Sequence, residues 1–339
     1  MITTILGIET SCDDTAAAIV ENGYIISNII ADQEVHKSYG GVIPELASRA
    51  HQQNIIPVVE QALAESGKTR KDINAVAFTR GPGLIGALLV GTSFAKGLSL
   101  ALNIPLIEVN HLQAHILSNF IIKKSEKRNL PEFPFLCLLV SGGHTQLVIV
   151  RDYLKMEIIG QTLDDAAGEA FDKCAKVLGL PYPGGPFIDK YAKKGNPHTY
   201  SFSKPDIKDY DFSFSGLKTA FLYFIRDKIK DDKNFITSNL SNICASIQNS
   251  IIEILLDKLI KASIEKGLNE IAVAGGVSAN SELRKRFISE GKKRNWNVYI
   301  PEFEYSTDNA AMIAITGYYK YLSSQFSNHY ITPVARLKI

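Results

Sequence analysis

The order in which short strands and helices follow one another repeats once along the 339 residues, and this repeat constrains the fold more than any single motif. In the first half, apolar runs bounded by turn residues predict strands at Thr4–Glu9, Thr15–Val20 and Tyr24–Ile30, the last two joined by Asn22-Gly23, a strong hairpin signal. Helical spacing of apolar residues follows over Glu45–Glu65. A strand at Ile73–Phe78, a glycine-rich turn, a helix over Leu84–Leu102, a strand at Ile104–Val109 and a helix after Asn110 complete the half. The second half repeats the series. Strands are expected at Phe135–Val140, Thr145–Val150 and Leu154–Ile159, then helices at Asp165–Leu178, Ser215–Ile229 and Ile243–Lys266. After them come a strand at Ile271–Ala274, a helix at Ala279–Glu290, a strand at Asn297–Ile300 and a helix from about Asp308. Both halves read βββ-α-β-α-β-α, with extra helical material in the second.

Three antiparallel strands followed by βα units describe a mixed sheet covered by helices on both faces. Two such halves predict a two-lobed α/β protein with a central cleft, where ligands tend to bind. The expected division is a first lobe of residues 1–110 joined by a tail of about 325–339, and a second lobe of 111–324 carrying a helical insertion. Apolar residues make up 45% of the chain and charged residues 21%, which excludes a disordered chain; a net charge of +2 neither demands nor excludes nucleic acid. The first residues lack the basic segment of a signal peptide, and the apolar stretch Leu84–Val109 is broken by Lys96, Asn103 and Pro105. The four cysteines, Cys12, Cys137, Cys174 and Cys244, form no CxxC pair. Cytoplasmic location and no membrane partner are the expectations.

Several segments carry chemistry. The first hairpin turn, Thr10-Ser11-Cys12-Asp13-Asp14, and its counterpart Ser141-Gly142-Gly143-His144-Thr145 offer exposed N–H groups suited to phosphate oxygens, although ordinary polar turns have the same composition. Ala274-Gly275-Gly276-Val277-Ser278-Ala279-Asn280 leaves a strand and opens a helix; Asn280 reads either as a contact to base or ribose or as a plain helix cap. A further turn, Pro183-Gly184-Gly185-Pro186, lies between Asp172 and Asp189. The run Gly81-Pro82-Gly83-Leu84-Ile85-Gly86 fits a dinucleotide fingerprint only formally, because three antiparallel strands precede it where a Rossmann domain begins with parallel βαβ units. No P-loop is present.

His111 and His115 open a helix at i,i+4, which places both imidazoles on one face with Cβ atoms about 5–6 Å apart. A metalloprotease of the HExxH type needs a glutamate where this chain has Leu112. Asp308 is the candidate third ligand, with a helix N-cap as its other reading. The basic runs Lys123-Lys124, Lys127-Arg128, Arg284-Lys285-Arg286 and Lys292-Lys293-Arg294 read either as phosphate contacts or as solvated faces.

In topology the chain resembles the actin, hexokinase and Hsp70 superfamily, the duplicated RNase H-like fold in which each lobe's first hairpin touches nucleotide phosphates. Seven of its segments are similar to one family in particular. They are Glu9–Thr15, the run from Gly40-Gly41 through Pro44-Glu45 and Ser48-Arg49 to His51, Gly81–Leu84, Asn110–His115, Leu139–Thr145, Phe212–Lys218 and Gly275–Asn280. Together they resemble, over about residues 4–325, the transferase subunit that makes threonylcarbamoyladenosine in tRNA, a family once taken for an O-sialoglycoprotein endopeptidase.

The resemblance implies transfer of a threonylcarbamoyl group from threonylcarbamoyl-AMP to N6 of adenosine-37 in tRNAs reading codons that begin with A, with release of AMP. It implies one divalent metal held by His111, His115 and Asp308, iron first with zinc or magnesium as alternatives. It also implies a nucleotide, either the adenylate or an ATP/ADP-type ligand, met by Leu139, Val140, Ser141, Gly142, Gly143, Asp172, Gly185, Asp189 and Asn280. Leu139 stands where the archaeal and eukaryotic branch has a tyrosine, which points to the bacterial or organellar branch. Asp13 is the candidate for positioning the incoming amine. Implied partners are tRNA, a degenerate paralogue of the same fold, a small P-loop ATPase and the synthase that supplies the adenylate.

Three other functions fit part of the pattern. A metabolite kinase explains the hairpins and glycine turns but not the histidine pair. A metalloprotease lacks its general base. A non-catalytic scaffold has no reason to keep both histidines and the acid.

Overall fold

The computed structural model describes residues 2–33, His36 and 39–339. In chain order the elements are β1 (Thr4–Glu9), β2 (Thr15–Glu21), β3 (Tyr24–Ala31), α1 (Pro44–Ser66), β4 (Ala75–Gly81), α2 (Ile85–Leu102), β5 (Leu106–Asn110), α3 (His111–Leu117) and β6 (Ile122–Lys123). They continue with β7 (Phe135–Val140), β8 (Thr145–Asp152), β9 (Lys155–Gln161), α4 (Ala167–Val177), α5 (Gly184–Ala192), α6 (Ser215–Asp231), α7 (Phe235–Lys266), β10 (Glu270–Ala274), α8 (Ser281–Arg294), β11 (Asn297–Tyr299) and α9 (Ala310–Leu322).

The duplication is present in the sheets. The first has the order β5-β4-β1-β2-β3-β6 and the second β11-β10-β7-β8-β9. Apart from the added edge strand β6, the two orders correspond strand for strand. In the first sheet β2 runs antiparallel to β1 and β3, whereas β4 pairs parallel with both β1 and β5. In the second, β7 pairs antiparallel with β8 and parallel with β10.

The chain divides into two compact units, one of Met1–Pro131, Arg151–Met156 and Pro301–Ile339, the other of Glu132–Val150 and Glu157–Ile300. Residues 111–131, 151–156 and 301–324 therefore pack with the first unit, not with the second as the expected boundary at 110/111 has it. The cause is α9. Side chains alternate along β1: Leu6 and Ile8 join the apolar cluster of Ile55, Val58 and Val59 from α1, and Gly7 faces α9 on the other side. A Cβ at Gly7 would lie 2.6 Å from the Ala314 nitrogen and 2.7 Å from the Ala310 oxygen, so the missing side chain lets α9 seat directly on the strand. Gly317 does the same against Ala77, where a Cβ would lie 2.4 Å from the Ala77 Cβ.

The helix α2 is long and apolar enough to cross a membrane by length and composition. It buries Ala87, Leu88 and Ala95 within its own unit. The second unit is built around α7, which starts at Phe235, earlier than the Ile243 its periodicity suggests. Pro183–Pro186 is not a free turn but the entrance to α5, and the sequence pattern hides this helix behind two glycines and a proline in its first turn. The four cysteines are thiols.

Candidate metal centre and glycine turns

The histidine pair is set by a cap. Asn110 ends β5, and its side-chain oxygen accepts from the backbone N–H of Leu112 (2.9 Å) and Gln113 (3.2 Å), which starts α3 at His111. One turn later His115 follows, and the two rings stand edge to face with centroids 4.6 Å apart. Asp308 approaches from the entry to α9. The residue that caps α9 is Asn309, whose side chain accepts from Met312 N–H at 3.0 Å, so Asp308 is released from capping. Its Oδ1 lies 3.2 Å from His115 Nε2 and 3.5 Å from His111 Nε2. One donor atom from each residue falls within 4.8 Å of the others.

Glu9, Ser11 and Thr79 complete the surroundings of His111, with the Ser11 hydroxyl 3.2 Å from His111 Nδ1. Glu9, at the end of β1, is fully buried. Its Oε2 lies 3.0 Å from His111 Nδ1 and accepts from the Thr79 hydroxyl at 2.7 Å, while Oε1 accepts from the Ser11 N–H. Burial works against the charged form of Glu9, yet the neighbouring His111 holds its carboxyl below the ordinary value. Burial likewise opposes a charged His111, but Glu9 and Asp308 outweigh it and push the ring up to about 10. His115 moves down, from burial first and then from His111. Asp308 is driven down by both imidazoles against its own burial.

This donor set suits a divalent cation. Two imidazoles and a carboxylate converge, a combination that serves iron and zinc alike. Glu9 and Asp308 together supply two negative charges beside rings that would be neutral as ligands. His115 Nδ1 is buried without a hydrogen-bond partner among the described residues, so the protein spends only Nε2 of this ring, the atom aimed at Asp308.

The first hairpin turn lies in the same unit. His51, fully buried on α1, braces it: Nε2–H donates to the Cys12 carbonyl at 3.0 Å and Nδ1 accepts from the Thr15 hydroxyl at 2.8 Å. Gly83 packs on the other side of the turn, where a Cβ would sit 2.4 Å from the Ser11 carbonyl oxygen, and Leu84 N–H donates to that oxygen at 2.8 Å. The Gly81–Gly86 run thus supports the first hairpin instead of forming a dinucleotide loop. Asp13 and Asp14 sit half-buried in the turn; burial, Asp13 and Asp308 push the Asp14 carboxyl up to about 8.

In the second unit Leu139 and Val140 are fully buried core residues of β7, and it is the turn Ser141–His144 that faces outward. Ser141 N–H donates to the His144 carbonyl at 2.8 Å, and Gly142 and Gly143 stand in open space. Gly275 has φ +86°, and a Cβ there would lie 2.5 Å from the Val140 carbonyl, which brings the two glycine turns together. Asp172 Oδ1 accepts from the N–H groups of Gly184 (2.7 Å) and Gly185 (3.3 Å) at the start of α5. Burial raises its carboxyl, against the pull of those two donors. Asp189 accepts from the Ser281 hydroxyl at 2.8 Å. Asn280 caps α8 through Glu282 N–H (3.1 Å) and Leu283 N–H (3.0 Å) and donates to Gln248 at 2.7 Å, so its side chain has the capping role.

A family model described as tRNA N6-adenosine threonylcarbamoyltransferase matches residues 24–315. Curated proteins of that name are 61% identical over 96% of this chain and 96% of their own length in Phocaeicola vulgatus, and 58% identical over 99% and 98% in Porphyromonas gingivalis. The chain belongs to the tRNA N6-adenosine threonylcarbamoyltransferase family.

The fold is shared with solved structures of low sequence identity. A crystal structure of full-length HypF, in a phosphate- and nucleotide-bound form, superposes with a TM-score of 0.61 at 15% identity, covering 96% of this chain and 47% of that one. Component A of (R)-2-hydroxyglutaryl-CoA dehydratase from Acidaminococcus fermentans gives 0.54 at 12% identity, covering 94% and 98%. These likenesses support the duplicated actin-like fold. Within the family's frame, Glu9, His51 and Ser281 are the residues to which sequence reasoning gave no role. An acid ending the first strand and a histidine on the inner face of α1 were the available signals. The basic runs Arg284–Arg286 and Lys292–Arg294 are largely engaged on their own helix or its neighbour: Lys293 and Arg294 pair with Glu290, Lys285 with Glu282, and Arg286 bonds Asn249.

Proposed function

We propose that the chain transfers the threonylcarbamoyl group of threonylcarbamoyl-AMP to N6 of adenosine-37 in tRNAs that read codons beginning with A, releasing AMP. The tRNA modification itself follows from family membership across nearly the whole chain. The observation that carries the chemistry is the convergence of His111, His115 and Asp308 within 4.8 Å.

The exocyclic amine of adenine is a weak nucleophile because its lone pair is delocalised into the ring. In the transfer, that nitrogen attacks the carbamoyl carbon, the bond from that carbon to the phosphate oxygen breaks, AMP departs and N6 loses a proton. Asp13 accepts a hydrogen bond from the amine and orients it. The exposed backbone N–H groups at Gly142 and Gly143 receive the phosphate of the adenylate, where preorganised donors stabilise developing charge. Leu139 and Val140 hold that turn from the core. Asp172 and Gly185 at the start of α5, and Asp189 and Asn280, joined by way of Ser281, make further contacts to the adenylate. His111, His115 and Asp308 would hold a divalent cation, iron in our reading, which would supply Lewis acidity toward oxygens of the donor.

The same reading places the protein in the cytoplasm with tRNA, a degenerate paralogue, a small P-loop ATPase and an adenylate-forming synthase. The test is reconstitution with purified adenylate, unmodified tRNA and the partner proteins. Mass spectrometry is expected to find the modified nucleoside and AMP in equal amounts; AMP release without nucleoside formation contradicts the proposal.

A further inference from the structure

We infer that Glu9 is a positioning residue that fixes the ring of His111 so that its Nε2 lone pair faces His115 and Asp308. The inference rests on the reading that those three residues hold a divalent cation.

Every hydrogen bond around Glu9 points to one arrangement. An ionised carboxylate only accepts. Oε1 takes the Ser11 N–H, and Oε2 takes the Thr79 hydroxyl at 2.7 Å and the His111 ring at 3.0 Å. His111 Nδ1, nearest to the carboxylate oxygen at 3.0 Å, therefore carries its hydrogen, and the Ser11 hydroxyl oxygen, 3.2 Å from the same nitrogen, is placed to accept from it as well. In the neutral ring the lone pair then lies on Nε2, the atom 3.5 Å from Asp308 Oδ1. The opposite tautomer would set two lone pairs against each other at Glu9 and leave an N–H where a cation belongs.

The location of Glu9 excludes other roles. It is fully buried and its oxygens are occupied by three donors of the protein, so it cannot reach substrate or shuttle a proton. A lone buried carboxylate is costly, and Thr79 on β4 together with the Ser11 backbone offsets that cost only by holding it in one orientation. The strand β1 carries Glu9 rigidly, whereas the His111 ring would otherwise turn about its own side-chain bonds. Carboxylate partners of ligating histidines set tautomer and ring direction and strengthen the ligand, and their loss commonly lowers metal affinity 10- to 100-fold.

The test uses the full-length protein stripped of metal, with Zn²⁺ as the probe, titrated in competition with a chromophoric chelator. Wild type is expected to bind one Zn²⁺ per chain. Glu9→Gln keeps the size but loses the charge and one acceptor, and its affinity is expected to fall about 10- to 100-fold. Glu9→Asp restores part of the loss. With Zn²⁺ bound, where His111 is neutral, ring nitrogen shifts of ¹⁵N-labelled histidine report the tautomer directly: His111 holds its hydrogen on Nδ1 in wild type and becomes mixed in Glu9→Gln. Glu9→Gln with Zn²⁺ affinity and His111 shifts equal to wild type overturns the inference. Should Glu9→Gln fail to fold, Thr79→Val decides. It removes the hydroxyl that anchors Oε2, and unchanged affinity and shifts in it overturn the inference in the same way. Wild type that binds no Zn²⁺ overturns the metal-centre reading itself, a result distinct from normal binding in wild type and variants alike.

Discussion

Asp308 Oδ1 lies 3.2 Å from His115 Nε2 although 193 positions of sequence separate the two residues. The distance depends on packing far from either side chain. The glycine in β1 lets α9 rest on the strand, and the cap at Asn309 ends the preceding loop so that the neighbouring carboxylate is left for the imidazoles.

Asn309→Ala removes the acceptor for Met312 N–H and the donors to the Tyr305 and Thr307 carbonyls. Loss of such a cap costs about 0.5–2 kcal/mol. Chemical denaturation is expected to show a loss in that range, with weaker Zn²⁺ binding because Asp308 is no longer held.

Gly7→Ala is expected to disturb the centre from a distance. The new methyl would meet α9 backbone at 2.6 Å, so the helix must shift, and overpacking of this kind costs about 1–3 kcal/mol. Gly142→Ala is the counterpart. Nothing lies within 4 Å of a Cβ there, so unfolding is expected to match wild type while the Michaelis constant for the adenylate rises, because the added methyl stands where the ligand must approach. Equal melting temperatures for Gly7→Ala and wild type would contradict this picture of α9.

His51→Leu strips partners from the Cys12 carbonyl and the Thr15 hydroxyl. Leaving such buried groups unsatisfied costs about 1–3 kcal/mol. His51→Gln keeps a donor toward Cys12 and is expected to recover most of the stability. The stability of both variants in urea separates loss of this brace from loss of ring volume.

Asp14 gives a pH signature. Its folded value of about 8 stands above the unfolded 3.8, so the folded state binds the extra proton between those values. The associated stability is present below 3.8 and is lost as pH rises through about 8. Asp14→Asn removes that dependence. In the metal-free protein the variant is expected to gain melting temperature relative to wild type at pH 8 and to gain none at pH 4; equal gain at both contradicts the assignment.

Much of this is legible in the sequence. Strand periodicity located β1–β3 and β7–β9, and an i,i+4 spacing put His111 and His115 on one face. What escaped depends on interactions distant in sequence. The helix α5 was masked by Gly184-Gly185-Pro186, a poor helix start that Asp172 stabilises by accepting two of its N–H groups. The role of Glu9 requires Thr79 and His111, which reach it only once β4 and β5 have paired beside β1. For Asp308 the sequence leaves two readings, metal ligand or helix cap, and the neighbouring Asn309 takes the cap. Asn280, one of the nucleotide contacts that the resemblance implies, spends its side-chain oxygen on capping α8 and one amide N–H on Gln248, the second a contact that forms only once α7 and α8 pack together.

The most direct test of the central claim is elemental analysis of purified protein, wild type beside Asp308→Ala and His115→Ala. One divalent metal per wild-type chain and almost none in either variant is the expected result. Equal metal content in all three, with folding intact, contradicts it.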